Sequence, residues 1–199
     1  MTESAIPFAV ESRLRDLPKG LREHIERSRE VGNDLAVLHG TDPDRVDLGI
    51  AAHDLARSLD RETLLEQALS SGLIPDAIER HEPVLLHGPL AAAWLEADGL
   101  SDDLVLDAVR WHSTGKVGMG PVAKVVFLAD KLDPEKVRRY PALEEVRDLA
   151  QEDLNRAIIK YLDHEIGYLV VKGRTVHPAS IDLRNELLLA QAGPARRET

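Results

Sequence analysis

Two adjacent residues, His53 and Asp54, are of types that could bind a metal ion and take part in catalysis. The apolar residues Val46 and Ile50 precede them with helical spacing, so both are expected on or beside a buried helix face. An unpaired carboxylate is costly there, whereas a metal ion would neutralise Asp54 and accept the neutral imidazole of His53. The pair alone is a weak motif, because chance produces roughly one His-Asp pair in such a chain.

Four more polar residues share this inward placement. His24 and Asp130 lie on the apolar faces of their segments, and His87 and His112 each end an apolar run beside a glycine-containing turn. A single inward histidine is more often a hydrogen-bonded core residue than a ligand, and an inward aspartate is often a cap or an ion-pair partner. Six such residues in one chain nevertheless favour a metal site.

The donor set of this site would be imidazole and carboxylate. The chain contains no cysteine, so thiolate ligands and disulfides are excluded. Nitrogen and oxygen donors suit iron, manganese or a catalytic zinc. Six ligands exceed the need of one open catalytic ion, but they could hold two ions that share a carboxylate.

Helices are expected to position these residues. Apolar side chains recur at helical spacing along most of the sequence, with caps, prolines and glycines between the segments. The predicted helices cover residues 21–38, 43–57, 60–69, 90–97, 101–112, 121–130, 142–150, 151–172 and 182–190. Ser101 is the predicted cap of the fifth of these, and residues 82–89 form a turn. The β-prone strings VVFL and YLVV each lie inside a helical period. We therefore predict an all-α fold, a single-domain helical bundle.

Charge and composition narrow the partners. The formal net charge of −10 argues against nucleic acid, which attracts basic surfaces. A small phosphate-bearing substrate stays compatible, because a bound metal reverses the local charge. We see no signal peptide and no apolar run of the roughly 20 residues that a membrane span needs, so we expect a cytoplasmic protein without a membrane partner.

Longer strings around the six residues carry a resemblance. They read HDLAR, PVLLHGP, AVRWHSTGKVGM, VFLADKLDP and KGRTVHPASIDLRNELL. Over residues 21–189 the sequence resembles the symmetrical bis(5'-nucleosyl)-tetraphosphatase (YqeK-like) branch of the HD-domain phosphohydrolases. The order H…HD…D is common to the superfamily, whereas PVLLHGP and WHSTG are specific to this branch.

The resemblance implies a metal-dependent hydrolase. It implies that His24, His53, Asp54, His87, His112 and Asp130 bind two divalent or trivalent transition-metal ions, usually iron, with manganese or zinc as alternatives. Asp54 would bridge the ions. A metal-bound hydroxide would then cleave diadenosine tetraphosphate into two ADP molecules.

The resemblance also implies residues that meet the substrate. Asp54, Arg57 and Lys116 would be catalytic. Substrate contacts would come from His112, Thr114, Gly115, Lys116 and Arg138. The sequence departs from the family at Arg57, where lysine is usual, at Lys131, where tyrosine is usual, and by extra residues between 134 and 138.

Other readings stay open. The chain could be another HD-domain nucleotide phosphohydrolase, such as a nucleotidase or a deoxynucleotide triphosphohydrolase, or a non-catalytic nucleotide-binding sensor. We expect a flexible segment over residues 1–15, the HD domain over 16–192 and a flexible tail over 193–199. The expected partner is a small nucleotide, and a homodimer is left open. The remaining histidines, His39, His81, His164 and His177, are expected to have no catalytic role.

Overall fold

The computed structural model describes residues 7–192, and within that range the chain forms helices and no β-strand. Twelve α-helices and one short 3-10 helix, Pro83–Leu86, are present there. The α-helices are α1 Phe8–Asp16, α2 Lys19–Leu38, α3 Pro43–Ala52, α4 Arg61–Ser70, α5 Ala77–His81, α6 His87–Ala97, α7 Asp103–Trp111, α8 Pro121–Lys131, α9 Pro134–Arg139, α10 Ala142–Glu152, α11 Leu154–Val171 and α12 Pro178–Ala192. The predicted all-α fold is confirmed.

Aspartate side chains cap many of these helices. The caps that accept a hydrogen bond from a backbone N–H of the first turn are Asp42, Asp60, Asp76, Asp102, Asp133 and Asp153. Each such cap stabilises its helix by about 1 kcal/mol. The prediction that Ser101 caps α7 is wrong by one residue, because the carboxylate of Asp102 is the acceptor for the N–H of Leu104.

The N-terminal segment differs from the expectation. Residues 8–16 form helix α1 rather than a flexible stretch, because one face of that helix is apolar and Val10 is fully buried against α2 and α3 residues such as Ile25 and Ala52. Residues 1–6 of the predicted flexible segment lie outside the described residues, as do residues 193–199 of the predicted tail.

Other helical segments also depart from the sequence prediction. The short helices α5 and α9 lie in stretches for which the sequence analysis gave no helix, and α6 begins at His87 rather than at Leu90. Pro89 is compatible with this early start, because a helix does not use the backbone N–H groups of its first turn. The correction brings His87 from a turn onto the first turn of a helix.

The central element is α8. Nine of its eleven residues are buried, and Phe127 is fully enclosed. Helices α2, α3, α7 and α11 pack around it. The strings VVFL and YLVV lie in α8 and α11, so both are helical as predicted. None of the helices in residues 7–192 combines the length and apolar character needed to cross a membrane.

Candidate metal centre

Six polar side chains meet beside α8, and most of them are placed by a helix end. His53 and Asp54 directly follow α3, and His112 directly follows α7. His87 is the first residue of α6, and Asp130 lies in the last turn of α8. His24 is the exception, since it lies within α2. We call His24, His53, Asp54, His87, His112 and Asp130 the histidine–aspartate cluster; no member is more than 8% exposed.

The imidazoles of this cluster share one orientation. In His53, His87 and His112, Nδ1 contacts the backbone carbonyl three residues earlier, which is that of Ile50 at 2.6 Å, Val84, and Val109 at 2.8 Å respectively. A carbonyl can only accept, so Nδ1 carries the proton and donates it. Nε2 is thereby the nitrogen that faces the centre of the cluster and can bind a metal ion.

In His24, a carboxylate rather than a backbone carbonyl contacts Nδ1, and Nε2 again faces the cluster. Its Nδ1 lies 2.7 Å from Oδ2 of Asp133, which is almost fully buried. Its Nε2 lies 3.1 Å from Oδ1 of Asp130. A carboxylate on the far nitrogen of a histidine orients the ring and increases its basicity as a ligand. Arg27 completes the arrangement by donating to both oxygens of Asp133.

Asp54 lies between two groups of imidazoles. Its Oδ2 is 3.5 Å from Nε2 of His53 and 3.9 Å from Nε2 of His24. Its Oδ1 is 3.0 Å from Nε2 of His87 and 3.7 Å from Nε2 of His112. Each carboxylate oxygen therefore faces a different pair of histidines, an arrangement that suits a bridging ligand.

Two groups of ligand atoms are compact enough to surround an ion. The donor atoms of His24, His53 and Asp130 lie within 4.8 Å of one another, and so do those of His53, Asp54 and His112. His87 belongs to the second group by position, since its Nε2 is 2.9 Å from Nε2 of His112. The cluster thus offers two adjacent positions for a cation.

The unsatisfied atoms of the cluster fit this chemistry. Nε2 of His53 is buried and has no hydrogen-bond partner within the described residues. His87 and His112 direct two Nε2 lone pairs at each other, and the Ser113 hydroxyl beside them can donate its single proton to only one. A cation bound to these nitrogens would satisfy all three, which hydrogen bonds among the described residues do not.

Charge inside the cluster alters the titration of its members. Burial opposes the charged form of His53, but the carboxylates of Asp54 and Asp130 outweigh it and raise the pKa of His53 to about 10. Burial lowers the pKa of His112 to about 3, assisted by the positive charges of its neighbours. The pKa of Asp54 stays well below its usual range despite burial, chiefly because of the charge of His53. At neutral pH both carboxylates are thus ionised, and His53 carries a proton on each ring nitrogen.

Two lysines that the sequence analysis did not assign to the site contact Asp130. Lys136 Nζ lies 2.6 Å from Oδ1 and 2.9 Å from the backbone carbonyl of Asp130, and Lys131 Nζ lies 2.7 Å from Oδ2. Together they hold the pKa of Asp130 well below its usual range, although burial acts in the opposite direction. In the sequence, Lys131 stands out only as a departure from the family pattern, and Asp133 resembles a helix cap, which it also is.

The basic residues predicted to contact the substrate, Lys116 and Arg138, pair with other acidic side chains and do not contact the cluster. Lys116 forms an ion pair with Asp107. Arg138 pairs with Glu135 at 2.6 Å and lines a separate surface cavity of about 410 Å³ between α2, α9 and α10. The basic side chain of α9 that reaches the cluster is Lys136. Arg138 was predicted instead because, just before Tyr140 and Pro141, it resembles an arginine of the family that approaches the nucleotide.

The turn after His112 packs against α12. The Thr114 hydroxyl donates to the carbonyl of Gly115, and the Thr114 carbonyl accepts from Ser180 at 2.8 Å. Gly115 has a φ of 69°, and an added Cβ there would lie 2.3 Å from Leu183. Thr114 and Gly115 are therefore buried parts of this turn, while Arg57 is exposed three residues after Asp54.

The other histidines lie outside the cluster, as expected. His39 directly follows α2, and its Nε2 lies 2.7 Å from the carbonyl of Ala150. His81 and His164 are exposed. His177 lies 3.5 Å from Asp76. None of the four belongs to a group of ligand atoms found within residues 7–192.

Known proteins resemble this chain in sequence and in fold. A model of the HD domain family matches residues 21–135, a range that contains all six cluster residues. The symmetrical bis(5'-nucleosyl)-tetraphosphatase of Halalkalibacterium halodurans is 35% identical over 173 residues, which is 85% of this chain and 89% of that protein. The protein of the same name from Bacillus subtilis is 32% identical over 73% of this chain and 77% of its own length.

A solved structure agrees with these matches. It is a protein of Clostridium acetobutylicum described as a predicted HD superfamily hydrolase involved in NAD metabolism. It is 26% identical, covers 90% of this chain and 95% of its own, and superposes with a TM-score of 0.84. The chain belongs to the HD-domain family, in the group that includes the symmetrical bis(5'-nucleosyl)-tetraphosphatases.

Proposed function

We propose that this chain is a metal-dependent hydrolase that cleaves diadenosine tetraphosphate into two ADP molecules. The observation that carries the proposal is the convergence of four Nε2 atoms on two buried carboxylates. The relatives that bear the name of this activity cover most of the chain and support the choice of substrate.

The six cluster residues would hold two ions, with Asp54 between them. Iron is our first choice, and manganese and zinc suit the same donors. When bound, such ions lower the pKa of a coordinated water and neutralise phosphate oxygens. The protein supplies the orientation of the donors: three backbone carbonyls and Asp133 fix the four imidazoles, so little rearrangement is needed on binding.

Lys136 is the basic residue best placed to meet the substrate. Its ammonium touches Asp130, and its side chain is 39% exposed, so it lies at the edge of the cluster rather than within it. Cations beside a phosphate chain stabilise the charge that develops during transfer. Arg57 is exposed and can act in the same way.

The remaining predicted contacts need a local change. Lys116 and Arg138 would have to leave Asp107 and Glu135 to bind phosphate, whereas the backbone of Thr114 and Gly115 would act by shaping the turn after His112. His112 would serve both the metal and the bound nucleotide. A dedicated general acid is not required, because the departing nucleoside diphosphate is stable as an anion.

Three further expectations go with this function. The protein would act in the cytoplasm on a small nucleotide, nucleic acid would not be a partner, and a homodimer is compatible with the site because all six cluster residues come from one chain.

The deciding experiment is turnover by the purified protein supplied with Fe²⁺, Mn²⁺ or Zn²⁺ in separate reactions. We expect ADP as the sole early product from diadenosine tetraphosphate. Equal early amounts of ATP and AMP would show that the nucleotide is anchored elsewhere. Hydrolysis of a nucleoside monophosphate or a deoxynucleoside triphosphate in its place would assign another HD-domain activity, and nucleotide binding without turnover would identify a sensor.

A further inference from the structure

A buried lysine connects two members of the cluster. Lys131, the last residue of α8, is 7% exposed. Its Nζ lies 2.7 Å from Oδ2 of Asp130 and 2.5 Å from the backbone carbonyl of His112. Asp130 and His112 belong to different groups of ligand atoms, and 19 residues separate Lys131 from His112 along the chain.

The surroundings of the ammonium account for its burial. The ring of Phe127 lies 4.5 Å from Nζ and the ring of Tyr161 lies 5.9 Å from it. Aromatic faces attract a cation, and the carboxylate and carbonyl accept its protons. A buried ammonium is costly unless it is paired and hydrogen-bonded, and Lys131 meets both conditions.

We propose that Lys131 is a positioning residue that fixes the two halves of the metal centre relative to each other; this inference rests on the proposed function. By binding Oδ2 of Asp130, the lysine leaves Oδ1 to face His24 and His53, at 3.1 and 3.7 Å from their Nε2 atoms. The same oxygen also accepts from Lys136 at the edge of the cluster. By binding the carbonyl of His112, it holds the residue whose Nε2 faces Asp54 on the other side.

A tyrosine at this position could not make both contacts. A phenol has one proton and donates to one acceptor, whereas an ammonium has three protons. A neutral, flexible side chain such as methionine would make neither contact. It would leave the buried carbonyl of His112 unpaired, and it would remove one positive charge from Asp130.

These two losses act in opposite directions on two bound ions. Removing the ammonium takes away a cation that repels an ion at Asp130, so binding near His24 and His53 should be unchanged or tighter. Removing the hydrogen bond frees His112, so binding near His87 and His112 should weaken. Loss of a residue that orients a ligand commonly costs about 10–100-fold in metal affinity.

The test uses the full chain and Co²⁺ alone, titrated by calorimetry. Wild type, Lys131→Met, Lys131→Arg and Lys124→Met are compared; Lys124 is a half-buried lysine on the same helix and serves as the matched control. We expect Lys131→Met to bind one ion as tightly as wild type or more tightly, and the other about 10–100-fold more weakly. Lys131→Arg should retain most of the affinity for that ion, and Lys124→Met should bind both ions like wild type.

Several results would overturn the inference. Unchanged affinities in Lys131→Met would do so, and so would an equal weakening of both ions, which a general loss of packing would produce. If Lys131→Met does not fold, Lys131→Arg decides: it keeps the donors, so loss of one ion in a folded Arg variant contradicts the inference, and retention of both supports it.

The titration does not depend on the substrate. If Lys131→Met weakens one Co²⁺ site only, but the wild-type protein leaves diadenosine tetraphosphate intact, the proposed function is refuted and the role of Lys131 is supported. If the wild-type protein cleaves this substrate, but Lys131→Met binds both ions like wild type, the proposed function is supported and the role of Lys131 is refuted.

Discussion

Each imidazole of the cluster has its proton placed by one immediate neighbour. For His53, His87 and His112 that neighbour is a backbone carbonyl three residues earlier, and for His24 it is Asp133. The first three depend on backbone groups within the same turn of the chain. The fourth depends on one side chain that is 109 residues away in sequence.

Loss of Asp54 should abolish activity without unfolding the protein. Its two oxygens face different histidine pairs, so Asp54→Ala removes a donor from both ion positions at once. We expect hydrolysis to fall by several orders of magnitude, with a far-ultraviolet circular dichroism spectrum like that of wild type. His164→Ala, an exposed change on α11, is the control and should keep wild-type turnover. Equal turnover in wild type and Asp54→Ala would exclude the dinuclear proposal.

Metal binding should release a proton from His53. Its pKa in the metal-free protein is raised to about 10, above the unperturbed value of about 6.5, so the ring holds a proton on Nε2 at pH 7 that an ion must displace. Metal affinity should therefore increase as the pH rises toward 10. Calorimetry at pH 7 in two buffers of different ionisation enthalpy should show about one proton released with the first ion. If the observed binding enthalpy is the same in both buffers, no proton is released, and the raised pKa of His53 is contradicted.

The sequence allowed us to predict the six residues that form the cluster, but not the side chains that contact them. His53 and Asp54 were recognisable because an inward charge on an apolar helix demands compensation. Asp133 was not, because an aspartate before a proline fully satisfies the pattern of a helix cap. Lys136 was not, because only the fold of α9 decides which of its basic residues turns toward Asp130.

Among the elements, the contact between α6 and α7 bears directly on the site. Gly88, next to His87, lies against the last turn of α7, and an added Cβ would meet the carbonyl of Val109 at 2.8 Å and Nδ1 of His112 at 3.0 Å. The Val109 carbonyl is also the acceptor that orients His112. The spacing of these two helices and the orientation of His112 are therefore set together.

Gly88→Ala should weaken metal binding and lower stability. Overpacking of a dense contact typically costs about 1–3 kcal/mol, and here the displaced group orients a cluster residue. Gly167→Ala is the matched control, because Gly167 lies within α11 with open space around its Cα; alanine there should stabilise the protein by about 0.5–1 kcal/mol. Chemical denaturation and Co²⁺ titration of both variants measure these effects. Wild-type Co²⁺ affinity in Gly88→Ala would show that α6 can move away without disturbing His112.

Helix boundaries show where local sequence signals suffice. Proline after an acidic cap fixed the start of α3, and Asp60 and Pro121 marked α4 and α8 equally well. The start of α6 was misplaced because Pro89 resembles a helix start two residues later than the true one. Only the packing of Gly88 on α7 explains why the helix extends back to His87.

At the scale of the whole molecule, the cluster joins five helices. Its residues come from α2, α6 and α8 and from the ends of α3 and α7. A cation held there binds the folded state and not the unfolded chain, so it stabilises the entire fold rather than one segment. The site and the hydrophobic contacts around α8 consequently support each other.

Metal should raise the melting temperature of the protein. An ion at 100 times its dissociation constant stabilises the folded state by about 2.7 kcal/mol, which for a chain of this length corresponds to a rise of about 5–10 °C. Thermal unfolding followed by circular dichroism, with Mn²⁺ and then with excess chelator, measures the shift. Asp54→Ala should show a smaller shift, and a melting temperature independent of metal in wild type would count against a bound ion.

The position of Asp130 has a consequence for the order of events during synthesis. The first cluster residue is His24 and the last is Asp130, which lies at the end of α8. A nascent chain still attached to the ribosome therefore presents up to four imidazoles and one carboxylate before the last donor and the central helix emerge. The group formed by His24, His53 and Asp130 is therefore incomplete until α8 has emerged, whereas His53, Asp54 and His112 are all synthesised before that point.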